Sequence, residues 1–338
     1  MDNKTKKTVL SGMQSTGMLH LGHYLGVLKN YVHLQEDYNC YFMVANWHSL
    51  TVFYSDYATA HGFIAPLVSD WLGAGLDPEK STLFVQSDVP AHAELNLILS
   101  MYTPVSWLLR NPTYKEKQEN IQKDIDSHGF LGYPVLQAAD ILLYKGEVVP
   151  IGEDQLPHLE LSREIARRFN HLNGSSNDKV FLEPQALLSK YPKVLGTDGR
   201  KMSKSYGNTI ALSEEEESVR SKMKKMKTDT NRVRRSDPGN PLDCPVFTYY
   251  DYFYPDKKEE ISKECKSAGI GCIDCKNIIT DKILEETLRF RDAKHKYMKN
   301  PGELQEILEE GAKKARVTAN ETLDLVKQTL QLTGTYQL

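Results

Sequence analysis

The sequence has no apolar run approaching the roughly 18 residues that a membrane-spanning helix needs. Its first residues, Met1-Asp2-Asn3-Lys4-Thr5-Lys6-Lys7, carry no apolar leader segment. A cytoplasmic protein without membrane attachment is expected. Charge of one sign is not in excess either: 42 lysines and arginines face 45 aspartates and glutamates, a formal net charge of −3. A uniformly basic nucleic-acid coat is excluded, so any contact of that kind must be local. Internal repeats and low-complexity segments are missing, which excludes a solenoid. Cysteine is scarce, with five in the chain, and in a reducing compartment these are poor grounds for disulfides. Against these absences stand 338 residues, 40% of them hydrophobic and 26% charged, enough for two domains and a substantial core.

Strand and helix patterns alternate through about residue 195. Thr8-Val9-Leu10 predicts a strand ending at Ser11-Gly12. A helix follows, with Leu21, Leu25, Leu28 and Val32 along one face. Tyr41 to Ala45 and Thr82 to Val85 predict two further strands, and Cys40 beside the former reads as a core residue. A helix from about Pro134 to Tyr144 leads to another strand at Val148-Val149-Pro150-Ile151. The fold class expected is α/β, a parallel sheet covered by helices on both faces. After Lys204 the pattern turns helical. Ser213-x-x-Glu216 predicts a capping box opening a long helix. Asp237 to Pro241 is a loop by its turn chemistry, and residues 277–332 are helical apart from Asn300-Pro301-Gly302.

Several segments carry chemistry. Thr16-Gly17-Met18-Leu19-His20-Leu21-Gly22-His23 puts two imidazoles at a strand-to-helix turn, where helix N–H groups attract phosphate. Lys201-Met202-Ser203-Lys204-Ser205 supplies two ammonium groups flanking a hydroxyl, a clamp for phosphate charge. Tyr133, Gln137, Asp140 and Tyr144 form one polar stripe on an otherwise apolar helix, so they must find partners or a small polar ligand. Val149 to Gln155 ends a strand and opens a helix, and ligands on such sheets bind beyond the strands' carboxyl ends. Cys244, Cys265, Cys272 and Cys275 are separated by 20, 6 and 2 residues. Four soft ligands with one Cys-x-x-Cys pair suit zinc or an iron–sulfur cluster. Between Arg220 and Arg235 lie Lys222, Lys224, Lys225, Lys227, Arg232 and Arg234. These suit either phosphate contact or a solvated helix face.

The two lysine- and histidine-bearing segments resemble the signature pair of class I aminoacyl-tRNA synthetases, His-x-Gly-His and Lys-Met-Ser-Lys-Ser. With Ser11-Gly12-Met13-Gln14, Tyr133 to Tyr144, Val148 to Gln155 and the helix through Arg163 to Phe169-Asn170, the chain resembles bacterial tryptophanyl-tRNA synthetases over nearly its whole length. The resemblance implies a Rossmann-type catalytic domain at 1–210 and a helical anticodon-binding region at 211–300. A C-terminal helix at 301–338 would pack back on the catalytic half. It implies ATP, L-tryptophan and tRNA(Trp) as partners, Mg2+ carried with ATP, and a homodimer. Asp140 would accept the indole N–H. Tyr133, Gln137 and Gln155 would hold the α-amino and carboxylate groups, and Leu10, His48, Val149 and Ile151 would wall the ring. Gln14, Ser15, Thr16, Gly22 and His23 would lie along ATP, with Gly152, Glu153 and Asp154 at the ribose and Val194 near the adenine. His20, His23, Lys201 and Lys204 would stabilise the transition state, Met202, Ser203 and Ser205 of the same loop would bind ATP, and Lys117 would reach the pyrophosphate. The four cysteines match a subset of this family with a 4Fe-4S cluster, with zinc as the alternative. Gln137 stands where many members have methionine, and the tyrosyl sister family uses tyrosine, glutamine and aspartate at this spacing. A tyrosine-specific enzyme and a non-charging RNA-binding paralogue are the rival readings.

Overall fold

Apolar side chains alternate along the strands, and this dictates what must lie on either side of them. Val9, Phe42, Val44 and Leu83 join one buried cluster, while Leu10, Tyr41, Met43, Phe84 and Val149 join another. A sheet apolar on both faces needs cover on both. The computed structural model describes residues 6–111, 127–173, 179–188 and 193–332. It has a five-stranded sheet of β1 (Thr8–Met13), β2 (Asn39–Val44), β3 (Ser81–Val85), β4 (Val148–Ile151) and β5 (Gln185–Leu188), in the order β3-β2-β1-β4-β5. Every pairing is parallel, and β1 lies against β2 from Thr8 opposite Asn39 to Met13 opposite Val44.

The chain winds from β1 out to β3 and then returns to the other side of β1 for β4. Strand order therefore reverses beside β1, and a crevice opens at the carboxyl ends of β1 and β4. Helices Ile64–Ala74 and Cys272–Lys299 pack on each other, as do Ala91–Tyr102, His128–Leu143 and Leu156–Asn173. The last helix, Pro301–Thr329, lies on β3. It approaches so closely that a Cβ at Gly311 would overlap the Leu83 carbonyl oxygen, and only glycine fits there. Among the described residues, no helix is long and apolar enough to cross a membrane.

Several expected elements differ. The helix expected from Pro134 begins at His128, where the Ser127 hydroxyl accepts the Phe130 N–H at 3.1 Å, and Pro134 sits inside it. The capping box at Ser213 does not form. The helix is Glu216–Lys225, with Glu215 at its N-cap and no side-chain cap. Ser213 is buried and its hydroxyl caps no helix; Leu212, beside it, is tied to the histidine turn through its N–H to the Leu19 carbonyl at 2.9 Å. The helical stretch expected from Asn277 starts at Cys272 and breaks at Asn300. Strand β1 runs on through Met13, and β5 has no counterpart in the expected elements.

Candidate active site

The histidine turn follows from a glycine and two imidazoles. Gly17 has φ +131°, a conformation that side chains rarely adopt, and it turns the chain back after β1. His20 then caps the short helix Leu21–His23: its Nδ1 accepts the Gly22 N–H at 3.1 Å, and its own N–H donates to His23 Nδ1 at 3.2 Å. Burial, then the charge of Lys204, pushes His20 down to about 4. Burial, His20 and Lys204 together hold His23 well below the ordinary value. Both rings are neutral at pH 7. Since each Nδ1 acts as an acceptor, this network assigns each proton to Nε2, making two hydrogen-bond donors.

The lysine loop is braced from within. Met202 donates its N–H to the Val194 carbonyl at 2.7 Å, and Ser203 donates to Asn208 Oδ1 at 2.8 Å. The loop meets the histidine turn where the Lys204 ammonium donates to the Gly17 carbonyl at 2.9 Å. Burial pushes Lys204 down to about 8, opposed by Asp70. Its charge is therefore retained at neutral pH but poorly solvated, which favours an incoming phosphate oxygen. Asp70 lies underneath, fully buried, facing the Ser213 hydroxyl and the Leu19 backbone. Burial pushes it up to about 7 against Ser213, Lys294 and Lys204.

Asp140 has the opposite character. Its Oδ2 receives His48 Nε2 at 2.7 Å, and its Oδ1 receives His92 Nδ1 at 2.6 Å and Gln86 Nε2 at 2.7 Å. Burial works against its charge, but His48 and the hydrogen bonds outweigh it and hold the carboxyl at about 2. It is an ionised acceptor at any physiological pH. Tyr144, the last member of the stripe, faces His92 Nε2 at 2.9 Å. Tyr133 faces His158 Nε2 at 3.0 Å.

A cavity of about 850 Å³ joins these parts at the crevice. Leu10, Gln14, Thr16, His23, His48, Tyr133, Gln137, Asp140, Val149, Ile151, Gly152, Asp154, Gln155, Lys201, Ser203 and Lys204 line it. The other expected residues stand behind this lining. Ser15 is buried and donates its N–H to Ser49 Oγ at 3.1 Å. Val194 and Met202 are core residues beneath the loop. His20 and Gly22 form the cap just described, Glu153 opens the short turn Glu153–Gln155, and Ser205 bonds Ser203 at 2.8 Å. Lys117 lies outside the described residues. Sequence reasoning missed Gln86, His92 and Asp70. For His92 a signal existed, a histidine between Ala91 and Ala93 just after Val89-Pro90.

In the helical half the four cysteines influence one another. The Cys265 thiol is pushed up by burial, with Cys244 and Cys272 adding to it. Cys275 is pushed up to about 11 by burial, and all three others contribute. Among the described residues, no three histidine, cysteine or acidic side chains are grouped to hold a single metal ion. The basic segment is partly consumed internally. Lys222 pairs with Glu214, Arg220 with Glu216 and Asp281, and Arg232 donates to the Arg235 and Ile270 carbonyls. Lys224, Lys225, Lys227 and Arg234 remain exposed.

Comparison with known proteins agrees with this geometry. The family described as tRNA synthetases class I (W and Y) matches residues 2–287. The chain is 50% identical to the tryptophan–tRNA ligase of Thermotoga maritima, covering 96% of this chain and 99% of that one. It is 42% identical to the tryptophan–tRNA ligase of Aquifex aeolicus with the same coverage. The crystal structure of tryptophanyl-tRNA synthetase from Campylobacter jejuni, complexed with ADP and tryptophan, superposes with a TM-score of 0.88 at 33% identity, over 96% of this chain and 99% of that one. A tyrosyl-tRNA synthetase from Aeropyrum pernix, at 15% identity and TM-score 0.65, shares the fold alone. The chain belongs to the class I aminoacyl-tRNA synthetases, in the bacterial tryptophanyl branch, and its activity is that of a tryptophan–tRNA ligase.

Proposed function

We propose that Asp140 accepts the indole N–H of tryptophan while the histidine turn and the lysine loop hold ATP beside it. The observation that carries this reading is an ionised, buried carboxylate at the apolar end of the cavity, walled by Leu10, Val149 and Ile151. Tyr133, Gln137 and Gln155 hold the amino acid's charged end. A tryptophan carboxylate oxygen attacks the α-phosphorus, forming tryptophanyl-adenylate as the bond to pyrophosphate breaks. Attack by a tRNA(Trp) ribose hydroxyl then gives the ester and releases AMP. No protein nucleophile is required, so catalysis rests on positioning and charge stabilisation.

The triphosphate runs along Gln14, Thr16 and His23 towards Lys201, Ser203 and Lys204, and Gly152 and Asp154 approach the ribose. Ser15, His20, Gly22, Val194 and Met202 act by shaping these walls. Mg2+ arrives on ATP, which supplies its phosphate ligands. Pyrophosphate exchange with tryptophan and tyrosine side by side tests the reading. Strong exchange with tryptophan and little with tyrosine is expected, and the reverse would sink it.

Residues 1–210 form the catalytic unit in this reading, 211–300 the anticodon-binding region, and 301–338 the returning helix. Exposed Lys224, Lys225, Lys227 and Arg234 suit tRNA phosphates. Exposed Leu97, Met101, Val105 and Leu109 on neighbouring helices support a homodimer face. The location is cytoplasmic. The four cysteines, with one Cys-x-x-Cys pair among them, would hold a 4Fe-4S cluster, with zinc as the alternative. Cys272→Ser is expected to lower tRNA charging several-fold while pyrophosphate exchange stays near wild type. Iron and sulfide assays on anaerobically purified protein check the metal. Near-stoichiometric zinc, or no metal with four freely reactive thiols, would overturn the cluster.

A further inference from the structure

The carboxylate of Asp140 has about four lone-pair sites, and the protein occupies three of them. Oδ1 takes two donors, His92 Nδ1 at 2.6 Å and Gln86 Nε2 at 2.7 Å, while Oδ2 takes His48 Nε2 at 2.7 Å. One acceptor position is left, on Oδ2 beside His48. The arrangement depends on which nitrogen of His92 carries its proton. Tyr144 is buried and lies 2.9 Å from His92 Nε2. With the phenol donating to Nε2, Nδ1 carries the proton and donates it to Asp140. His92 is fully buried and does not line the cavity, so it touches no substrate.

We infer that His92, oriented by Tyr144, is a positioning residue for side-chain specificity: with Gln86 it fills Oδ1 and leaves Asp140 one acceptor position for a group that only donates. An indole N–H is such a group. A tyrosine hydroxyl placed there donates too, but its oxygen also needs a donor, and the His48 Nε2–H beside Oδ2 is already engaged by Asp140. A ring analogue without the N–H leaves the last position of Asp140 empty, and unpaired buried polar groups are what make such sites selective. This inference rests on the reading that Asp140 receives the indole N–H.

The test compares tryptophan with its benzothienyl analogue, in which sulfur replaces the indole N–H, by pyrophosphate exchange. Wild type is expected to prefer tryptophan by about 10–100-fold in kcat/KM. In His92→Leu that preference falls about tenfold, mostly through the KM for tryptophan. His92→Asn keeps a donor near the place of Nδ1 and restores most of it. Tyr144→Phe removes only the proton that sets the tautomer and lowers the preference several-fold. It is the deciding arm if the leucine variant does not fold. Equal losses on both substrates in His92→Leu, or an unchanged preference in Tyr144→Phe, would overturn the inference. Asp140→Asn separates the two levels. If it abolishes the preference while the His92 and Tyr144 variants keep it, the positioning role fails and the reading of Asp140 stands. If Asp140→Asn also keeps it, the reading of Asp140 fails as well.

Discussion

Asp140→Asn is expected to raise the KM for tryptophan about 10–150-fold while the KM for ATP stays near its wild-type value. The range corresponds to losing one buried charge-assisted hydrogen bond, about 1.5–3 kcal/mol. The upper end is favoured because asparagine must turn an N–H₂ group towards one of two donor sets, His48 on one side or His92 and Gln86 on the other. A donor facing a donor costs more than an absent bond. Exchange kinetics with each substrate varied in turn measure the two constants. An unchanged tryptophan KM would remove Asp140 from the pocket.

Lys204→Ala is expected to slow adenylate formation about 10²–10³-fold with little change in tryptophan affinity. Losses of this size follow removal of one preorganised donor from a developing charge. The ammonium spans the two signature segments, donating to the Gly17 carbonyl at 2.9 Å. When ATP enters, that weak neutral acceptor is replaced by phosphate oxygens. Single-turnover quench experiments give the rate, and tryptophan fluorescence titration gives the affinity. A pH signature accompanies the effect. Lys204 loses its proton at about 8 in the free protein, so its contribution is complete below that pH and fades above it. Wild-type kcat/KM for ATP should therefore fall on the alkaline side, and the alanine variant should lack that limb. A wild-type rate in the variant would exclude Lys204 from the mechanism.

Much of the site was legible in the sequence because its parts are local. The histidine turn, the lysine loop and the stripe of Tyr133, Gln137 and Asp140 each declare themselves within a dozen residues. Gln86 and His92 do not. They reach Asp140 from 54 and 48 residues away, and side chains that converge through the sheet leave no spacing to read. Asp70 was hidden for another reason. Helix Ile64–Ala74 is buried over most of its surface, so a single acid there breaks no visible face. Strand β5, Gln185-Ala186-Leu187-Leu188, is a short half-exposed edge made of residues that favour helix, and only its pairing with β4 makes it a strand. At Ser213 the sequence carries the pattern of a cap, but the residue is held elsewhere by the seam that joins Leu19 to Leu212. A local motif yields when its backbone is already committed to a long-range partner.

The seat of Gly311 on β3 has a consequence for how the chain is made. Strands β1 to β3 leave the ribosome long before Pro301–Thr329, the helix that covers the β3 backbone. Until that helix is made, the Phe84 and Tyr41 face of the sheet lacks Ala312, Ala315 and Ala319. The nascent sheet is therefore covered on that face only in part, by Leu95, Val135 and Ala138 of earlier helices, until Pro301–Thr329 arrives. A chain cut short before Pro301 would leave the β3 backbone at Leu83 without the helix that Gly311 seats on it.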